Sequence, residues 1–353
     1  MRDVHRRKFL AKTGVTAAGV SVLAGCLGDD DPDDPDDTDD TDDTDDTDID
    51  FPTENIELVI PFGEGGGTDV FARTVAGAAQ DFLDVSFEFV NEPGAGGLTG
   101  TAQVHRAEPD GYTLVAFNPP STPTSWLIQQ PDFEIGELEG VSINGQFPYI
   151  IYAHPDYEID GFGDLVDRYD DGEFTDIAGQ GQGTMVDVVA RVLRDDVGLS
   201  WDSYIAYDGG GEVTSAVMSD EVAVGIGTDS GAESGVADDR LEPIACIPSG
   251  GSAVFPDLPS IADEGYAEEG DSIDPLAMLQ PCYWAPPGTP REVIDVITEA
   301  VEQGIDTDDV QQFAEDSGNV VRYSGPDAAN DLMDDVLTTV PEVVDLDEIR
   351  EDA

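Results

Sequence analysis

Twice within forty residues an apolar run ends in a glycine-rich turn that opens a segment of helical period. "IELVIPF" (56–62) leads into "GEGGGTD" (63–69), and "VSFEFV" (85–90) into "NEPGAGGLTG" (91–100). A near-continuous apolar run reads as a strand buried on both faces, which requires helices packed over the sheet. After Thr68, residues Phe71, Val75, Ala79 and Phe82 fall near helical spacing and predict one apolar face. The alternation continues. "YTLVAF" (112–117), "YIIYA" (149–153), "FTDIA" (174–178), "SYIAY" (203–207), "EVAVGI" (221–226), "EPIACI" (242–247) and "QPCYWA" (280–285) read as strands. A helix from Thr184 places Val186, Val189, Ala190, Leu193 and Val197 on one side, and "TPREVIDVITEAVEQ" predicts another with Thr289 as N-cap. Strand and helix in regular succession define an α/β protein with mainly parallel sheets, and 353 residues suffice for two lobes.

Glycines at such turns let backbone N–H groups approach an anion at a helix N-terminus. The nucleotide-binding motifs are matched only weakly. "GEGGGTD" lacks the lysine of a phosphate-binding loop, and "GAGGLTG" departs from the dinucleotide spacing. A third turn, "GQGQGT" (179–184), is equally far from either. Any one of the three taken alone reads equally well as a simple turn. Catalytic sets are scarce. Only three histidines occur, His5, His105 and His154, without partners at metal-ligand spacing, and no serine-nucleophile or zinc-protease motif is present. No catalytic residue, metal site or cofactor is therefore predicted. Trp126, Trp201 and Trp284 read as core or lobe-interface residues.

The formal net charge of -64 excludes nucleic acid and anionic membrane surfaces as charge-driven partners. It suits a cytosol or exterior at molar salt, where charges separated by more than about 3 Å are screened. The N-terminus has the layout of an export signal: twin arginines Arg6 and Arg7, a short apolar run, and "LAGC" ending at Cys26, which resembles a lipobox. Residues 1–26 are read as a twin-arginine lipoprotein signal with Cys26 as the lipidated residue. The Asp-rich stretch that follows, 27–53, is read as a disordered spacer. Cys246 and Cys282 lie in apolar runs and read as small buried hydrophobes, with a disulfide between them left open.

Five ordered stretches resemble one family. "VIPFGEGGGTDVFAR", "NEPGAGGLTG", "EPDGYTLV", "FPDLPSIADEG" and "WAPPGTPREVID" are similar to segments of the substrate-binding receptors of tripartite tricarboxylate transporters, also called Bug-type receptors. The resemblance spans most of residues 54–300. It implies a type II periplasmic-binding-protein clamshell with two crossovers, lobe 1 at 54–148 and 252–353 and lobe 2 at 149–251. It implies a monomer without cofactor or enzymatic activity that holds a small carboxylate and delivers it to a membrane permease, from the outer face of the membrane through lipid on Cys26. By the same resemblance Gly63, Gly65, Gly66, Gly67, Thr68 and Asp69 supply one jaw, with Asp69 orienting the loop. Asn91, Gly94 and Gly97 shape the neighbouring turn, and Gly181, Gly183 and Thr184 supply the second jaw. Asp187 stands where the family commonly has His, Gly227 where it commonly has an acidic residue, and Asp229 lies two residues on. Both are expected near the cleft, as is Tyr207 in "IAYDGGGE". A sensory receptor of the same fold and an exported α/β enzyme are the rival readings.

Overall fold

The computed structural model describes residues 50–266 and 273–352. The signal segment, Cys26 and the Asp-rich stretch up to residue 49 lie outside them. Residues 50–53 do not behave as spacer: the Phe51 ring packs edge-on against Tyr112 at 5.0 Å, and the Thr53 N–H donates to the Tyr112 hydroxyl at 2.9 Å.

The first lobe opens with three strands, β1 (Ile56–Ile60), β2 (Phe87–Asn91) and β3 (Thr113–Phe117). Each leads toward a helix: α1 (Gly67–Ala79), α2 (Leu98–His105) and α3 (Ser121–Gln129). β1 pairs parallel with both β2 and β3. Phe71, Val75 and Ala79 are buried on α1 as the spacing requires, whereas Phe82 is 43% exposed. The helix ends at Ala79, and the tighter turn over Gln80–Phe82 rotates Phe82 off the apolar face.

One long strand, β4 (Glu139–Ala153), then runs from the first sheet into the second. The second lobe is built on it from α4 (Gly161–Asp170), β5 (Asp176–Gln180), α5 (Met185–Val192), β6 (Ser203–Tyr207), α6 (Gly210–Met218), β7 (Val224–Thr228), α7 (Asp229–Ala237) and β8 (Glu242–Cys246). The chain returns through α8 (Ile273–Ala277), β9 (Met278–Leu279) and β10 (Cys282–Ala285). It finishes with α9 (Arg291–Ile305), α10 (Asp308–Ser317), β11 (Val320–Ser324), α11 (Pro326–Val343) and α12 (Leu346–Asp352).

Both sheets are mixed rather than mainly parallel, because the crossing segments run against the rest. β10 lies antiparallel between β3 and β4, and β4 pairs antiparallel with β7 and β8, while β5 runs parallel to β6 and β7. Phe147 and Pro148, at the changeover in β4, pair with Leu279 and Met278 of β9. The two crossings between lobes therefore lie side by side. The return crossing comes later than a division at residue 252. Glu264 accepts from the N–H groups of Phe162 and Gly163 at 3.0 Å each, and Ser249 N–H donates to Asp274 at 2.8 Å. Residues 255–266 and 273–277 thus remain against the second lobe, tied there by these carboxylates and by buried Ile261, Ile273 and Leu276.

Trp284 is fully buried and stacks on Phe117 at 5.2 Å, and Trp201 is also buried. Cys246 and Cys282 are both free and buried. Thr289 does not cap α9: its hydroxyl turns back to the Pro286 carbonyl at 2.8 Å, and Pro290 takes the cap position. Among the described residues no helix is long and apolar enough to cross a membrane.

Candidate functional site

Helices α1, α3, α5, α6 and α7 each follow a strand, β1, β3, β5, β6 and β7 respectively. Because β1 and β3 run alike, as do β5, β6 and β7, the helix N-termini of each lobe gather at one edge of its sheet. All five N-termini border one cavity of about 1390 Å³. Gly66, Gly67 and Thr68 come from α1, Ser121 from α3, Gly183 and Thr184 from α5, Gly209 to Gly211 from α6, and Thr228 and Gly231 from α7. First-turn N–H groups have no partner within their own helix, and each N-terminus carries about half a positive charge. A cavity so lined can hold an anion with backbone donors alone.

Two of these turns are braced in the same way. In the first, Asp69 accepts from the Gly65 N–H at 2.9 Å and from the Arg73 Nε at 2.8 Å. In the second, Asp187 accepts from the Gly183 N–H at 2.9 Å and from the Arg191 Nε at 3.0 Å. Each carboxylate sits one helical turn from its arginine and four residues after a glycine in the left-handed region, Gly65 at φ +75° and Gly183 at φ +68°. That conformation is nearly strain-free only for glycine. It folds the loop back so that one N–H reaches the carboxylate, while the N–H groups that follow it in the first turn stay directed along the helix axis.

The first brace has further supports. Asn91 donates from its amide to Asp69 Oδ1 at 2.9 Å and to the Phe62 carbonyl at 3.0 Å, and its Oδ1 accepts from Arg73 Nη2 at 2.7 Å. Burial alone would raise the Asp69 carboxyl, but the bonds from Asn91, Gly65 and Arg73 outweigh it and hold it below the ordinary value. In the second turn the Thr184 hydroxyl, placed near the Gln180 and Gly181 carbonyls at 2.7 and 2.9 Å, closes the loop.

Of the residues expected at the site, Gly63, Gly65, Gly66, Gly67, Thr68, Gly94, Gly97, Gly181, Gly183 and Thr184 all border the cavity. Asp69, Asn91, Asp187, Tyr207 and Asp229 do not. Asp187 is fully buried with both oxygens engaged, so it shapes the loop from behind instead of facing a ligand. Tyr207 turns its hydroxyl outward to Glu221 at 3.1 Å and contributes only its carbonyl, which accepts from the Gly181 N–H at 2.9 Å. Asp229 is withdrawn into α7, where Ser252 Oγ donates to it at 2.7 Å and the Ser230 N–H at 2.7 Å. Burial pushes its carboxyl up to about 6, against those two hydrogen bonds. Gly227 does border the cavity, and a Cβ there would lie 2.7 Å from the Tyr152 hydroxyl. No acidic side chain fits that place.

Sequence reasoning missed Asn118, Ser121, Phe147, Tyr149, Gly209, Thr228 and Arg350, all at the cavity. Phe147 and Tyr149 sit in the apolar run that crosses between lobes, where nothing distinguishes them from core. Gly209 was accessible: "DGGGE" is a further glycine turn opening a helix. Among the described residues no group of His, Cys, Asp and Glu could hold a metal ion.

A two-lobed α/β clamshell with helix N-termini gathered around the space between its lobes is the architecture of the periplasmic binding proteins. Residues 71–345 match the tripartite tricarboxylate transporter family receptor, and the chain belongs to that family. Protein BugT of Bordetella pertussis is 25% identical over 292 residues, covering 81% of this chain and 87% of BugT. The solved structure of periplasmic binding protein BugD superposes with a TM-score of 0.73 at 23% identity, covering 85% of this chain and 98% of BugD. MatC from Rhodopseudomonas palustris, solved with bound malate, gives a TM-score of 0.73 at 20% identity, covering 84% of this chain and all (100%) of MatC. Rpa4515 of R. palustris, solved with adipate, gives 0.74 at 18% identity, covering 86% and 99%.

Proposed function

We propose that this receptor closes its two lobes around a small carboxylate and passes it to a tripartite tricarboxylate-type permease, without covalent chemistry. The observation that carries this reading is the convergence of five helix N-termini on one cavity in a chain with no lysine after Lys12. Backbone donors hold an anion without the solvation cost of a buried cation, and the low local dielectric strengthens them once the lobes exclude water. The malate and adipate bound to MatC and Rpa4515 support a carboxylate as the ligand. The working medium is molar salt, and lipid on Cys26 holds the receptor at the outer face of the membrane.

The test is calorimetry and thermal shift in molar KCl with malate, succinate, adipate and citrate. At least one acid is expected to bind and to raise the melting temperature, by mass action on the folded state. Silence from all four, with a shift from a neutral sugar, would sink the carboxylate reading. For the anchor, Cys26→Ser is expected to release the protein from the membrane fraction. Retention of that variant at wild-type level would remove the lipid.

A further inference from the structure

The wall of the cavity formed by α3 carries a cation, supplied by α12. Arg350 is the only lysine or arginine among the described residues at the cavity, in a chain of formal net charge -64. The other ionised groups there, Glu64, Asp208 and Glu212, are acidic and exposed. The Arg350 guanidinium is fixed rather than loose. Its Nε donates to the Ile128 carbonyl at 3.3 Å, its Nη2 to the Leu127 carbonyl at 2.7 Å, and its Nη1 to Asp347 Oδ1 at 2.6 Å. A guanidinium has five N–H bonds, so these three leave one on each terminal nitrogen, enough for the two oxygens of a carboxylate. The side chain is 29% exposed, open to a ligand yet partly withdrawn from screening by salt. Its helix begins at Leu346, just past residue 345, where the match to the family ends. Arg350 is therefore the one cationic side chain among the described residues at a cavity that five helix N-termini border.

We infer that Arg350 forms a second anion subsite, so that the preferred ligand is a dicarboxylate with one acid group at the helix N-termini and the other on the Arg350 fork. This rests on the carboxylate reading above and narrows it. Backbone N–H groups at one end of a ligand do not register what its far end carries. A fixed guanidinium does, because an ester or methyl group in place of the second carboxylate offers its two remaining N–H groups only a neutral acceptor or none, and leaves the exposed Asp347 as its sole charged partner.

The experiment is calorimetry in molar KCl with succinate, malate and adipate, each beside its monomethyl ester, on wild type, Arg350→Gln and Arg350→Lys. Wild type is expected to bind at least one diacid tenfold or more tighter than the monoester. Arg350→Gln is expected to weaken that diacid about tenfold and to leave the monoester within threefold. Arg350→Lys, which keeps the charge and loses the carbonyl fork, should fall between. Equal losses for diacid and monoester in Arg350→Gln would mean that Arg350 only ties α12 to α3, and would overturn the proposal. Unchanged binding of both would overturn it too. If wild type bound none of the six compounds, the dicarboxylate proposal would fall, and silence from citrate with a shift from a neutral sugar would then sink the carboxylate reading itself.

Discussion

The turn before α1 and the turn before α5 are the same device held in two different ways. Both place a left-handed glycine four residues before a buried aspartate and an arginine four residues after it. In the first lobe the arginine side chain is 37% exposed, lies 4.9 Å from the Phe89 ring, and shares an amide, Asn91, with the aspartate. In the second lobe the arginine is 13% exposed and the aspartate 1%. The first brace rests on a network reaching across to β2, and the second on an ion pair in a nearly dry place. A buried pair is costly to break, because the surviving charge has no water to turn to.

That difference orders the effects of removing each carboxylate. Asp187→Ala is expected to destabilise the fold by about 3–5 kcal/mol, the range for removing one member of a buried ion pair. Asp69→Ala should cost less, about 1–3 kcal/mol, since Arg73 keeps Asn91 and partial solvent. Denaturant unfolding of both variants in molar KCl makes the comparison. A larger loss for Asp69→Ala than for Asp187→Ala would reverse the account of which brace depends on burial. The burial of Asp187 also means that Asp187→His should act on the position of the loop, not by touching the ligand.

The glycines sharpen the comparison at smaller cost. Gly66 has an ordinary φ of -72°, and a Cβ there would meet only the Gly63 carbonyl at 3.3 Å. Gly66→Val should therefore stay within about 1 kcal/mol of wild-type stability, as substitutions without a backbone or core penalty do. Gly183 sits at φ +68°, so Gly183→Val should lose about 1–2 kcal/mol from the left-handed conformation alone. Both side chains would stand where a carboxylate meets backbone, and both variants should fail to bind an acid that wild type binds. Wild-type binding by Gly66→Val, measured by calorimetry, would remove the α1 turn from the site.

The smallest effect concerns a third carboxylate at a helix start, Asp229, which has no arginine brace among its partners. Its folded-state value is raised to about 6 from the ordinary 3.8. A raised value contributes stability that is fully present below about pH 4 and is lost as pH rises through 6, so at neutral pH the charge is a liability. The α7 N-terminus offsets part of it. Asp229→Asn is thus expected to stabilise the protein by about 1 kcal/mol at pH 7.5 and not at pH 4. Equal melting temperatures of variant and wild type at pH 7.5 would show that the helix end offsets the whole penalty. Asp69 has the opposite sign: its value is lowered, so its brace holds at neutral pH and is lost on acidification below the ordinary carboxylate range.

Some of this was open to a reader of the sequence. "DVFAR" at 69–73 and "DVVAR" at 187–191 are nearly the same five residues, each preceded by a glycine four positions before the aspartate. The repeat announces the paired braces, yet it is masked by the abundance of Asp along the chain and by the 113 residues between the two segments. Tyr149 carried no such signal, because a strand residue at a cavity and a strand residue in a core obey the same two-residue alternation.

Local physics fixed the strand–turn–helix succession and the glycine-rich turns that open α1 and α5, since period and glycine position act over a few residues. Tertiary structure alone decided which carboxylates face the cavity and which stand behind it, where the return crossing falls, and that a helix past residue 345 reaches the site. The reason is distance: Asp187, Asp229 and Arg350 are separated by 42 and 121 residues in the chain. Whether each group is solvated, paired or turned toward a ligand depends on neighbours that only the folded sheets bring to it.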